Sequence, residues 1–83
     1  MNYVGSTTMK ILTIEEQLGL RIRYLRKEKN LSIEDLALEA EINKNYLSDL
    51  ERGRRNPSIN VINRLAKSLE ITLSELFIGI IDY

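Results

Sequence analysis

The sequence predicts an all-α domain of five short helices, on three observations. Apolar residues recur at three- and four-residue spacing through most of the chain, and no alternating strand pattern competes. Three hydroxyl residues stand three places before an acidic one where such runs begin: Thr13 with Glu16, Ser32 with Asp35 (Asp in place of the usual Glu or Gln) and Thr72 with Glu75. Each pair is a capping box, which satisfies backbone N–H groups at a helix start. The single proline, Pro57, falls between periodic segments, where it forbids helix continuation.

The first helix opens at Thr13 and carries Ile14, Leu18, Ile22 and Leu25 on one stripe; Asn30, tolerant of the left-handed conformation, ends it. Gly19 lies inside it at a cost of about 1 kcal/mol relative to Ala, which predicts a close helix–helix contact. The second helix runs from Ser32 to about Ala40 and turns Ile33, Leu36, Ala37 and Ala40 inward. The third is capped by Asn43 and stopped by Gly53, which accepts positive φ. Tyr46, Leu47 and Leu50 lie on one side of it; Lys44, Asn45, Ser48, Asp49 and Arg52 lie on the other. After the loop Arg54–Pro57, a fourth helix begins near Ser58 and buries Ile59, Ile62, Leu65, Ala66 and Leu69. The fifth follows Thr72 with Leu73, Leu76 and Phe77 inward. The domain therefore spans 13–78, between a flexible extension (1–12, containing Gly5-Ser6-Thr7-Thr8 and a second candidate start at Met9) and an apolar tail (79–83).

Eighty-three residues with 43% hydrophobic content make one small domain near the lower size limit for a self-sufficient core. The chain has no Cys and no His. That excludes disulfides, thiolate or imidazole metal sites and the common nucleophile–base pairs. No catalytic residue, metal or cofactor is expected. The adjacent carboxylates Glu15 and Glu16 read as partners of a helix dipole rather than as an acid–base pair. No apolar run reaches membrane-spanning length and no signal peptide is visible, so the expected location is cytoplasmic. Twelve basic and twelve acidic residues cancel, but they are segregated. Arg21, Arg23, Arg26, Lys27 and Lys29 cluster late in the first helix, and Arg52, Arg54 and Arg55 follow the third. Glu34, Asp35, Glu39 and Glu41 gather between them. Such blocks are either solvated helix faces or one basic face.

The second and third helices, joined by a tight polar turn, have the outline of a helix-turn-helix. A second helix whose outer face bears amide, ammonium and short polar groups can read base edges in a major groove. Lys can donate to guanine O6 and N7, and Asn can pair with adenine. Asp49 either accepts from cytosine N4 or restrains neighbouring cations. Tyr46 falls at the edge of the buried stripe, its hydroxyl placed to donate to a phosphate. Glu51 lies beside Leu47, away from Lys44, and a carboxylate there calls for a cation such as Arg.

The strings LGLRIRYLRKEKNLS, IEDLALEAEINKNYLSDLERGRRNPS and INRLAKSLEITLSELF resemble the XRE/Cro/C1 family of helix-turn-helix DNA-binding domains, the five-helix fold of phage repressors. Small domains with Tyr after the turn and RNPS behind it are similar to controller proteins of restriction–modification systems, and also to small repressors of phages and mobile elements. The resemblance implies that Lys44, Asn45, Ser48 and Asp49 face bases. It implies that Asn43, Tyr46, Arg52, Arg54 and the backbone around Asn56 and Ser58 hold phosphates, and that Arg26 and Glu51 form an internal ion pair. Two positions depart from the family pattern. Ile33 replaces a phosphate-bracing Gln, leaving only a backbone amide there, and Glu41 replaces the Gly of the turn.

Leu20 and Tyr24 lie off the first helix's stripe, and the tail adds Phe77, Ile78, Ile80, Ile81 and Tyr83. Either the tail folds back on its own subunit or these residues form a dimer contact. The leading expectation is a homodimeric regulator of transcription on an inverted repeat of double-stranded DNA, with no membrane or small-molecule partner. The rival is an antitoxin-like or mobile-element regulator whose tail also covers a protein partner.

Overall fold

A computed structural model describes residues 11–80. Among them are five helices and no strand: α1 (Ile14–Glu28), α2 (Ile33–Ala40), α3 (Lys44–Glu51), α4 (Ile59–Ser68) and α5 (Leu73–Leu76). The capping boxes at Thr13, Ser32 and Thr72 all form. Asn43 caps α3 and Ser58 caps α4 through their side-chain oxygens. The notions that residues 1–10 are flexible and that Met9 is a start, together with Ile81 and Tyr83 of the tail, fall outside the described residues.

One turn design recurs at the helix ends. Asn30, Glu41 and Glu70 adopt left-handed φ of 57°, 59° and 60°. Each is followed by an apolar residue whose N–H reaches back five positions: Leu31 to the Arg26 carbonyl at 3.1 Å, Ile42 to Ala37 at 2.9 Å and Ile71 to Ala66 at 3.0 Å. This is the Schellman closure, and its apolar residue packs against the core. The next residue then caps the following helix. At the end of α3, Gly53 takes the left-handed place (φ 77°) and Arg54 N–H closes on the Asp49 carbonyl at 2.9 Å. The residue in the apolar place is here an arginine, so the chain turns toward solvent. That change creates the exposed loop 54–57.

Leu18, Ile22, Leu36, Leu47, Leu50, Leu65, Leu69 and Leu76 form the centre of one core, with Ala37, Ala40, Ile62 and Ala66 between them. Helix α1 packs on α3, α2 on both α3 and α4, and α4 on α5. Gly19 marks the α1–α3 crossing: a Cβ there would meet the Leu50 carbonyl oxygen and lie 2.6 Å from that of Glu51. The close contact expected of Gly19 is present, and any side chain would push α3 away.

Four inward assignments need correction. Ile14 is 58% exposed and Ile59 64% exposed, while Leu73 and Phe77 are each 37% exposed. Ile14, Ile59 and Leu73 are the first residues of their helices. Helical phase points them at the core, but the helix has not yet reached it. Phe77 is the residue after α5, where the helix has already ended.

Candidate nucleic-acid interface

The position of α3 is fixed by a buried ion pair. Arg26 on α1 donates from Nε to Glu51 Oε2 at 2.7 Å and from Nη2 to Oε1 at 3.0 Å. Its Nη1 donates to the Leu31 carbonyl at 2.8 Å, in the turn before α2. Both side chains are almost fully buried. The hydrogen bonds that Arg26 donates to Glu51 raise its pKa above the ordinary value, against the desolvation that opposes them. One guanidinium thus ties together α1, α3 and the entry to α2, as expected of this pair.

Helix α3 then presents its opposite face. Lys44 and Asn45 are exposed in its first turn; Lys44 Nζ is held only loosely, 3.9 Å from Glu34 Oε2. Ser48 and Asp49 follow, half-buried. Asn43 Oδ1 accepts from the N–H groups of Asn45 at 2.7 Å and Tyr46 at 3.3 Å, which leaves its amide NH2 free to donate. Ser58 Oγ accepts from Val61 N–H at 3.2 Å and likewise keeps its hydroxyl proton to give. Arg52, Arg54 and Asn56 are exposed, and neither arginine has an ion-pair partner among the described residues.

Asp49 is occupied by a cation. Arg55 Nη2 donates to Asp49 Oδ2 at 3.3 Å, and the same guanidinium lies 5.6 Å from the centre of the Tyr46 ring. A cation restrained by Asp49 is one of the two alternatives the sequence offers, but nothing in the sequence names Arg55 as that cation. The path of the chain after Gly53 brings the two together, and no periodicity encodes that. Arg23 and Lys27 stand near this face. They line an open cleft with Ser32, Ile33, Ser48 and Arg52, so two further cations of α1 lie beside the start of α2 and the flank of α3. Their four-residue spacing places them on one face of α1, and that signal was in the sequence.

Of the apolar set, Phe77, Ile78, Leu20 and Tyr24 are exposed, whereas Ile80 packs back on the core of its own subunit. Arg21 secures α5 to α1 by donating to the carbonyls of Glu75 at 2.7 Å and Leu76 at 3.2 Å. Among the described residues no helix is long and apolar enough to cross a membrane, and no group of acidic, His or Cys side chains is placed to hold a metal ion.

The HTH_3 helix-turn-helix family model matches residues 22–76. The chain is 46% identical over 63 residues to the HTH-type transcriptional regulator DdrOP3 of Deinococcus deserti, covering 76% of this chain and 49% of that protein, so it spans about half the length of this relative. The crystal structure of the restriction–modification controller protein C.AhdI from Aeromonas hydrophila superposes with a TM-score of 0.73 at 42% identity, over 75% of this chain and 94% of that one. The structure of SinR, the master regulator for biofilm formation, in complex with DNA superposes with a TM-score of 0.68 at 38% identity, over 72% and 97% of the two chains. With its two central helices joined by a tight turn and the family model matching residues 22–76, the chain belongs to the HTH_3 helix-turn-helix family.

Proposed function

We propose that the protein is a sequence-specific regulator that binds an inverted-repeat operator as a homodimer, in the manner of a restriction–modification controller. The observation that carries this reading is the outer face of α3. Lys44, paired only at 3.9 Å with Glu34, and Asn45 stand exposed at its leading end, and Arg52 and Arg54, without an ion-pair partner among the described residues, flank its trailing end. Donors at the first turn of the second helix reach base edges, while cations at its margins neutralise phosphates. Asn43 and Ser58 supply further phosphate donors at two helix starts, and the Tyr46 hydroxyl and exposed Asn56 add to them. Ser48 completes the set facing the bases, with Asp49 beside it engaged by Arg55. Phe77 and Ile78, with Leu20 and Tyr24, supply the contact between subunits and leave α3 free, because α5 packs on α4 and α1. Selection from a random duplex library tests the reading. A single enriched motif with two-fold symmetry is expected; recovery of no enriched sequence would refute it.

A further inference from the structure

Three features of the recognition edge concern one side chain. Arg55 is four residues beyond the end of α3, yet its guanidinium is drawn back onto the helix by the Asp49 carboxylate at 3.3 Å and covers the Tyr46 ring at 5.6 Å. Arg54, its neighbour, has no such restraint. A cation intended for a phosphate gains from a free positive charge, and a carboxylate alongside cancels that gain. A cation intended for a base edge needs orientation more than net charge, since recognition of guanine O6 and N7 requires two N–H groups aimed together. Arg55 has the second kind of environment. One Nη2 proton is given to Asp49, the guanidinium lies over an aromatic ring at cation–π distance, and the side chain is about half exposed.

We propose that Arg55 reads a guanine at the edge of the site contacted by α3, and that Asp49 and Tyr46 are positioning residues that aim it. Asp49 then serves recognition through Arg55 and not by accepting from cytosine. This rests on the sequence-specific binding proposed above, and the wild-type protein distinguishes the two. Binding preferences of wild type, Arg55→Ala, Asp49→Ala and Tyr46→Phe would be measured on a random duplex library and then on single-base variants of the wild-type site.

Arg55→Ala should lose about 10- to 100-fold of preference at one G·C pair, keeping the rest of the motif and the salt dependence. Asp49→Ala should relax the same position. It should also tighten binding to random duplex and steepen its salt slope by up to about one, because Arg55 is released as a free cation. Tyr46→Phe keeps the ring and should keep the preference even where total affinity falls. Three results would overturn the inference. Arg55→Ala could weaken all sequences alike with a salt slope lower by about one, which marks a phosphate contact. Asp49→Ala could instead alter a position that Arg55→Ala leaves intact, which marks direct reading by the carboxylate. A wild-type protein that enriches no sequence removes the base-reading on which both depend.

Discussion

Arg26 is only 7% exposed, and its charge is tolerated there because three of its N–H groups have acceptors. Removing either partner strands the other charge in the core, so Arg26→Ala or Glu51→Ala should cost roughly 3–5 kcal/mol. That is a large share of the marginal stability of a small domain. Thermal melts check it; single variants melting within a degree or two of wild type would show that the pair contributes nothing. At the exposed face the expected losses are of another kind. Lys44→Ala or Asn45→Ala should cost about 1–3 kcal/mol against the preferred site and much less against random duplex. Arg54→Ala should weaken both alike and lower the salt slope by about one, as titrations at several salt concentrations would reveal. Helical phase turns Glu51 inward beside Leu47 and so calls for a cation; that the cation is Arg26 came from the family resemblance. The Asp49–Arg55 contact was not legible in the sequence, because it depends on the route of a loop.

Among the elements, the turn between α2 and α3 carries the clearest departure from local preference. Glu41 holds left-handed φ and ψ of 59° and 46° while its N–H closes the helix end. A residue with a Cβ pays for that conformation, and Gly does not. Glu41→Gly should therefore raise stability by up to about 1 kcal/mol, read as a shift of a few degrees in melting temperature. Glu41→Val should lower it. The acid side of the stability profile belongs to the helix caps. Bonding to Thr72 holds the Glu75 carboxyl below its ordinary value, and Lys29 does the same for Glu70. Contributions of this sign are complete above the ordinary carboxylate pKa and are lost as pH falls through the folded values. With no His in the chain and the Arg26 pKa raised, melting temperature should stay level from about pH 6 to 9 and decline in acid. A transition near neutrality would contradict this. Helix boundaries followed from caps and spacing, because both are local. The exposure of Ile14 and Ile59 did not follow, because phase says which way a side chain points but not whether the core extends that far.

For the whole molecule, the decisive matter is information. One recognition helix contacts only a few base pairs, too few to find a site among about a million or more competitors. Two subunits on half-sites about 10 base pairs or a multiple apart supply the missing discrimination. In the proposed dimer the contact falls to the exposed apolar residues Phe77 and Ile78, since Ile80 packs against its own core. The direct measurement is a titration of the wild-type protein against its enriched two-fold site and against the same duplex with one half scrambled. Scrambling should weaken binding by at least about 100-fold, since it removes one subunit's base contacts at about 1–3 kcal/mol for each well-placed pair. Equal affinity for the two duplexes would mean that a single subunit carries recognition, and would contradict the dimeric regulator.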